Sequence, residues 1–223
     1  MNQSMERELK LMPSDDGLLD QLANLERLGP FEERGRRHEL QRNSFFDSAT
    51  RTLQKARVSF RRRIIEGQSL ATWTIKANGD LQQGVATRAE IELQLDPDMS
   101  PALALGVLRD AARSRGAAVV AETVADALAE GGPPSAQPFL EMETDRTILD
   151  LEAPDRGWSV ELALDRVRLI GHRYREVEIE AELKRGDEAA LEAAREAIQS
   201  LGEVRNSEAS KLARALAHVE RGH

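Results

Sequence analysis

Near its start the chain carries Glu6-Arg7-Glu8-Leu9-Lys10, a Glu-x-Glu-x-Lys pattern. In an extended strand successive side chains point to opposite faces, so Glu6, Glu8 and Lys10 share one face with neighbours roughly 6–7 Å apart. Two carboxylates and an ammonium are a poor surface to bury against apolar groups. They are a good lining for a wet cavity holding metal ions and phosphate, since carboxylates ligate Mg2+ or Mn2+ and lysine brings a point charge to phosphate oxygens. The competing reading is helical: Glu6 and Lys10 are also spaced i,i+4, the favourable order for an ion pair on a solvated helix face. The rest of the chain decides between the two.

The same residue types recur at strand spacing. Arg61 and Arg63 share a face in Phe60-Arg61-Arg62-Arg63, and Thr74 and Lys76 share one in Thr74-Ile75-Lys76. Arg88, Glu90, Glu92 and Gln94 alternate with Ala89, Ile91, Leu93 and Leu95. The second half adds Thr144-Asp145-Arg146, then Glu161 followed by Asp165. Its strictest alternation is Glu176-Val177-Glu178-Ile179-Glu180-Ala181-Glu182-Leu183. Glutamates stacked on one strand face repel unless cations stand opposite. A triphosphate concentrates negative charge over a short span. Arginine forks bind its oxygens directly, and carboxylates reach them through a divalent ion. One metal would neutralise such a substrate, and a second would activate water for in-line attack. No glycine-rich phosphate loop, Ser-His-Asp set or HExxH helix competes with this reading.

The elements that must position these residues follow from patterning. Ser14 or Asp15 can cap a helix through about Leu28, with Leu18, Leu19, Leu22 and Leu25 on one face and Gly29-Pro30 at its end. A strand is expected between Arg36 and Asp47, then a helical turn near Ala49 to Gln54. Val58 to Ile65 and Leu70 to Ala77 read as a hairpin about Glu66-Gly67-Gln68, and Asn78-Gly79 as a turn before a strand from Thr87 to Leu95. Pro101 suits the first position of a helix running to Arg115 and ended by Gly116. Ala117 to Glu130 is a second, alanine-rich helix, and Gly131 to Pro134 a loop. Strands follow in Phe139 to Leu151, Gly157 to Leu164 and Glu176 to Leu183. Two helices close the chain, from Glu188 to Leu201 and from Ser207 to about Val219, the last with Leu212, Leu216 and Val219 inward. A sandwich with one wet face would tolerate any polar residue outside. Here arginine and glutamate return in strand after strand, so the expectation is an α+β fold: an antiparallel closed barrel with a polar interior and helices packed outside.

Composition narrows the function classes. With 223 residues the chain suits one large domain or two small ones. A formal net charge of -8 argues against a general nucleic-acid binder, and the clustered Arg34, Arg36, Arg37, Arg42 and Arg61 to Arg63 point instead to a local anion site. Cysteine is absent, which excludes disulfides and thiolate metal sites. The histidines, at 38, 172, 218 and 223, lack metal-ligand spacing. No apolar run approaches the ~18 residues of a membrane span, and no apolar leader precedes Glu6, so the cytoplasm is the expected location.

Taken together the motifs resemble the CYTH domain, the triphosphate tunnel metalloenzymes. The family's Glu-x-Glu-x-Lys strand is matched by Glu6, Glu8 and Lys10, and its aromatic-aromatic-Asp-Thr segment by Phe45-Phe46-Asp47-Ser48, with serine for threonine. Its Leu-Arg-x-Arg, Thr-x-Lys and Arg-x-Glu strands are similar to Phe60 to Arg63, Thr74 to Lys76 and Arg88 to Glu90. Its Thr-Asp-Arg, Glu-(x)3-Asp and Glu-Ile-Glu-x-Glu-Leu strands resemble Thr144 to Arg146, Glu161 to Asp165 and Glu178 to Leu183, and Ser210-Lys211 its late Ser-Lys. Arg166 stands where the family has Gln-Gly after the aspartate. The resemblance implies an eight-stranded antiparallel closed β-barrel, a tunnel, as a single domain over residues 1–223, with 117–134 an insertion and 187–223 the C-terminal helices. It implies Mg2+ or Mn2+ and a small triphosphate substrate, with neither nucleic acid nor membrane as partner and a homodimer allowed. Lys10, Arg61, Arg63, Lys76, Arg88 and Arg146 would bind phosphates. Lys10, Arg61, Arg63 and Glu178 would carry catalysis. Glu6, Glu8, Glu90, Glu161, Asp165, Glu178 and Glu180 would serve as metal ligands, with Glu182 a further candidate.

For every charged position the plain alternative is a solvated strand face or an inter-strand ion pair, and Glu92, Glu182 and Lys211 fit it as well as a functional role. Phe45, Phe46, Trp73 and Trp158 are expected in the core. The leading expectation is a metal-dependent hydrolase of inorganic triphosphate. A class IV adenylyl cyclase or a thiamine or nucleoside triphosphatase is the alternative within the fold. A non-catalytic triphosphate- or polyphosphate-binding module is the alternative outside enzymes, disfavoured because a pure binder needs only the cations.

Overall fold

The computed structural model describes the backbone of residues 5–82 and 85–222, and side chains at 7–77, 85 and 89–222. In chain order the elements are β1 (Met5–Pro13), α1 (Gly17–Ala23), β2 (Arg27–Leu28), β3 (Phe31–Phe46), α2 (Thr52–Lys55), β4 (Val58–Ile65), β5 (Ala71–Gln82) and β6 (Val85–Leu95). There follow α3 (Pro101–Ser114), α4 (Ala118–Gly131), β7 (Leu140–Ala153), β8 (Trp158–Leu169), β9 (Arg175–Arg185), α5 (Glu188–Gln199), β10 (Val204–Asn206) and α6 (Lys211–Glu220). The chain divides into two compact units, one built mainly from residues 41–80 and 88–143, the other from 6–40, 81–87 and 144–223. No helix among the described residues is long and apolar enough to cross a membrane.

In the first unit the end of β3 pairs antiparallel with β4, and β4 with β5, setting Phe45 against Arg61, Asn43 against Arg63, Arg61 against Thr74 and Arg63 against Thr72. Strand alternation sends Phe46, Phe60, Trp73, Ile75 and Ile91 to one face. There Trp73 stacks on Phe46 and Phe60 with ring centroids 5.6 and 5.4 Å apart. α3 and α4 cover this face with Leu105, Leu108, Val120 and Val124, and their alanines allow close approach. Ser100 caps α3 by accepting the Leu103 amide, Pro101 starts it, and Gly116 at φ +80° turns the chain away. The opposite face is polar, with Asn43, Arg61, Arg63, Thr72, Thr74 and Lys76. Arg62 lies on the apolar side, its guanidinium 5.6 Å from the Phe46 and Trp73 rings and donating to the Pro97 carbonyl at 2.8 Å.

The Phe45-Phe46-Asp47-Ser48 motif is here a folding device. Buried Asp47 accepts the backbone N–H groups of Ser48, Leu53 and Gln54 at 2.7, 3.0 and 2.9 Å, which starts α2. α4 ends against that turn. A Cβ added at Gly131 would lie 2.2 Å from Thr52 Oγ1 and 2.6 Å from both Thr52 Cγ2 and Ser48 Oγ.

In the second unit β1 bonds antiparallel to β9 at Glu8 to Leu11 and to β10 at Leu11 to Pro13. β9 in turn pairs with β8. Leu9, Leu11, Val160, Leu162, Leu164, Ile179 and Ala181 alternate onto an apolar face covered by α1 and α5. α5 is capped by Asp187, which accepts the Ala189 amide at 3.1 Å, and buries Ala190, Leu191, Ala194 and Ile198.

Several expectations are corrected. Among the described residues the sheet has ten strands, not the eight of the expected closed barrel. The order of neighbours ends at β10 on one side and β9 on the other, with an additional β1–β9 pairing. The extra strands are the short β2 and β10, which take up backbone donors and acceptors that a plain loop would leave unpaired. The first helix stops at Ala23, because Arg27 and Leu28 pair with Glu32 and Phe31 as β2 and so lengthen β3 toward its start. β5 continues through 78–79 to Gln82, the ladder overriding a local turn signal. Phe46 and Trp73 lie in the core as expected, Phe45 is buried and Trp158 packs partly buried against the second core.

Two outcomes follow from the first unit. Gly131→Ala forces a methyl onto the β-branched Thr52, and urea unfolding should show a loss of about 1–3 kcal/mol. Glu141 accepts Arg42 Nε and Nη2 at 3.1 and 2.8 Å and Ser44 Oγ at 2.8 Å. The Arg42 hydrogen bond, which outweighs burial, holds its carboxyl below the ordinary value. A depressed folded-state pKa adds stability that is complete above the unfolded pKa, about 4.3, and is lost as pH falls through the folded one. The stability gap between the wild-type chain and Glu141→Gln should therefore be constant near neutrality and shrink on acidification below about pH 4.3.

Candidate functional site

The second unit's polar sheet face gathers the titratable residues. Its apolar face takes Ile179 and Ala181, so alternation turns Glu176, Glu178, Glu180 and Glu182 the other way. Register then sets Asp165 of β8 opposite Glu178, Glu161 opposite Glu182, Lys10 of β1 opposite Glu180, and Glu8 opposite Glu182. The outcome is a trio, Asp165, Glu178 and Glu180, each offering a carboxylate oxygen within 4.8 Å of the others. Asp165 and Glu178 are 0% exposed.

Such carboxylates fold into one place only with cations among them. Arg146 of β7 forks onto Asp165, Nε to Oδ1 and Nη2 to Oδ2 both at 2.6 Å, and Nη2 also reaches Glu180 Oε2 at 2.8 Å. Lys10 bonds to Glu180 and lies 2.9 Å from Glu8 Oε1. Lys211, at the start of α6, reaches Asp165 Oδ2 at 2.8 Å and Glu180 Oε1 at 2.9 Å and touches Glu178. Arg214 donates to Glu178 Oε1 at 2.9 Å.

Protonation follows this geometry. Burial pushes Glu180 up, but Lys10, Lys211 and Arg146 together outweigh it and hold the carboxyl well below its ordinary value. At Asp165 burial is likewise overcome, by Arg146 and then Lys211, and the group is lowered. At Glu178 burial prevails over Lys211 and the group is raised. Burial depresses the cations Lys10 and Arg146, yet their carboxylates win and both are raised, for Lys10 mainly through Glu180 and for Arg146 through Asp165.

The donor set fits a hard divalent ion. All candidate ligand atoms of the trio are carboxylate oxygens, the type that Mg2+ and Mn2+ prefer. Glu178 Oε2 is in contact with the Lys211 ammonium, which an arriving divalent ion would have to displace. The ammonium groups are donors that can move from carboxylate to an arriving anion.

Of the residues expected from the sequence, Glu8, Lys10, Arg146, Asp165, Glu178 and Glu180 come together here. Glu161 stands beside the trio on the same face and is held by Arg37 at 2.5 Å and Lys184 at 3.6 Å, while Glu182 pairs with Lys184 at 2.7 Å. Arg61, Arg63, Lys76 and Glu90 belong to the first unit. Arg63 donates to Asn43 Oδ1 at 3.3 Å, and Lys76 pairs with Glu90 at 3.0 Å. Glu92 accepts Thr74 Oγ1 at 3.2 Å. The side chains of Glu6 and Arg88 lie outside the described residues.

Sequence reasoning placed Glu176 on the charged face without a role, missed Arg214 and turned the leucines of α6 inward. Leu212, Leu216 and Val219 are only partly buried, and the buried position is Ala215. The helix brings Lys211 and Arg214 to the carboxylates because buried acids need cations more than the leucines need cover. The signal was present in the i,i+3 spacing of Lys211 and Arg214.

Comparison with known proteins agrees with this architecture. The family model of the CYTH domain matches residues 4–216. No curated protein sequence matches the chain. Among solved structures, the chain is similar to HpAC1 from Hippeastrum, an adenylyl cyclase candidate reported to reveal a dominant triphosphatase activity, at 23% identity and TM-score 0.63, with 94% of each chain covered. It is similar to an adenylate cyclase candidate from Bacillus halodurans at 21% identity and TM-score 0.58, covering 96% of this chain and 98% of that one. It is also similar to PH1819 from Pyrococcus horikoshii OT3, at 18% identity and TM-score 0.55, covering 96% and 99%. At these identities the likeness is one of fold, and with the family match it leads to a single assignment: the chain belongs to the CYTH domain family.

Proposed function

We propose that this protein is a metal-dependent hydrolase of inorganic triphosphate, splitting it with water into pyrophosphate and phosphate. The observation that carries the reading is the trio of Asp165, Glu178 and Glu180, the first two fully buried, interleaved with Lys10 and Arg146 on one sheet face and with Lys211 of α6. Asp165, Glu178 and Glu180 would hold the ion, with Glu8, Glu161, Glu90 and Glu6 as the further acidic candidates that family resemblance supplies. When bound, Mg2+ or Mn2+ neutralises phosphate oxygens and acidifies a water ligand.

The chain's own cations do the rest. Lys10 and Arg146 neutralise the carboxylates while the site awaits substrate, then turn donors toward non-bridging phosphate oxygens, Arg146 as a fork and Lys10 as a point charge. Arg61, Arg63, Lys76 and Arg88 are proposed as further phosphate ligands on the strength of their family motifs. Charge on the leaving pyrophosphate is met by donors already in place, which spares reorganisation at the moment of reaction. A binding module would need the cations alone, and the buried acids favour catalysis over it. A second reading, cyclisation of ATP, draws support from the adenylyl cyclase names of two structural neighbours.

Phosphate release with Mg2+ or Mn2+ should be measured across tripolyphosphate, ATP and thiamine triphosphate. Tripolyphosphate is expected to be preferred, and EDTA to abolish turnover. Strong preference for an organic substrate overturns the substrate, and cyclic AMP from ATP establishes the second reading. Glu180→Gln should lower kcat by about 100-fold or more with the fold retained by circular dichroism. Arg61→Ala should raise the triphosphate KM about tenfold, or about 1.4 kcal/mol, with kcat little changed.

A further inference from the structure

Arg214 differs from the other cations at the site. Every one of its N–H donors is engaged. Nε donates to Glu176 Oε2 at 2.6 Å, and Nη2 donates to Glu176 Oε1 and to Glu178 Oε1, both at 2.9 Å. Nη1 donates to Ser207 Oγ at 2.6 Å and to the Ala209 carbonyl. Glu176 is fixed from its other side by the Tyr174 hydroxyl, which donates to Oε2 at 2.6 Å. A guanidinium so fully committed has nothing left for substrate. It ties one oxygen of Glu178, Oε1, to a rigid frame made of β9, the turn before α6 and α6 itself. The other oxygen, Oε2, lies on the side of Lys211, whose ammonium also reaches Asp165 and Glu180.

We propose that Arg214, braced by Glu176, is a positioning residue that locks the Glu178 carboxylate in the one orientation that presents Oε2 to the ion held with Asp165 and Glu180. This rests on the metal-site reading given under Proposed function. Outer-shell hydrogen bonds to ligating carboxylates orient them in this manner, and their loss typically weakens metal binding by about 10–100-fold. The geometry demands the fork. A lysine at 214 would keep the charge but could not serve Glu176 and Glu178 together in one plane. The role also runs against simple electrostatics, because a cation beside the site repels a second cation. If charge were all that mattered, removing it would tighten metal binding.

The test is titration of the full chain with Mn2+ alone, followed by loss of the free-ion paramagnetic resonance signal, in parallel with thermal melts. In Arg214→Lys the Mn2+ Kd is expected to rise about tenfold. An arginine that only fastened α6 would lower the melting temperature and leave the Kd of the folded chain at the wild-type value. A Kd unchanged or lowered in Arg214→Lys overturns the proposal. If that variant does not fold, Glu176→Gln decides on the same criterion, since it loosens the brace while leaving Arg214 and Glu178 in place. Wild-type chain that takes up no Mn2+ removes the metal-site reading and this inference with it. Wild-type uptake with unaltered variants removes the inference alone.

Discussion

Asp165 and Glu178 are fully buried beside Glu180, and three carboxylates so close cannot be ionised in a protein interior without compensation. The second unit is organised to meet that requirement. Arg146 arrives from β7, Lys10 from β1, and Lys211 and Arg214 from α6, so three elements distant in sequence are fixed by one electrostatic need. The strands can present these groups only because their other faces are apolar. Leu9, Ile179, Ala181 and Leu164 bury in the core on the same strands whose neighbouring residues carry charge. Strand alternation thus converts an ordinary hydrophobic core into a platform for an ionic cluster.

The first unit follows the same division with a different balance. Its apolar face is dense with aromatic rings, and its polar face offers threonine, asparagine, arginine and lysine rather than clustered acids. Lys76 with Glu90 and Arg63 with Asn43 show these side chains already satisfied by close neighbours. Helices α3 and α4 cover the apolar face of the first unit and α1 and α5 that of the second, while α6 brings Lys211 and Arg214 to the second unit's charged face.

Much of this was legible from spacing. The alternation in Glu176 to Leu183 placed charges and core residues on the correct faces, and Glu8, Lys10, Arg146, Asp165, Glu178 and Glu180 do assemble. The less legible parts were those decided by tertiary competition. Leu18, Leu19 and Leu22 bury in a helix, but Leu28 reaches the same core from a two-residue strand, a choice that periodicity alone does not make. Ten strands rather than eight appear because β2 and β10 are too short to leave a pattern. In α6 leucines and cations both recur at helical spacing, and only the carboxylates on β8 and β9 determine which set turns inward. Phe45 to Ser48 matched a family motif, yet in the fold Asp47 serves the backbone of α2.

The pairing of β1 with β9 has a consequence for synthesis. Lys10 and Glu180 are joined although they lie 170 positions apart in the chain. During synthesis Lys10 is therefore made long before its Glu180 partner on β9. Long loops must close before that pairing yields any reward, which slows the final step of folding. A chain lacking β9 would carry Lys10 without Glu180 and Asp165 without Glu178.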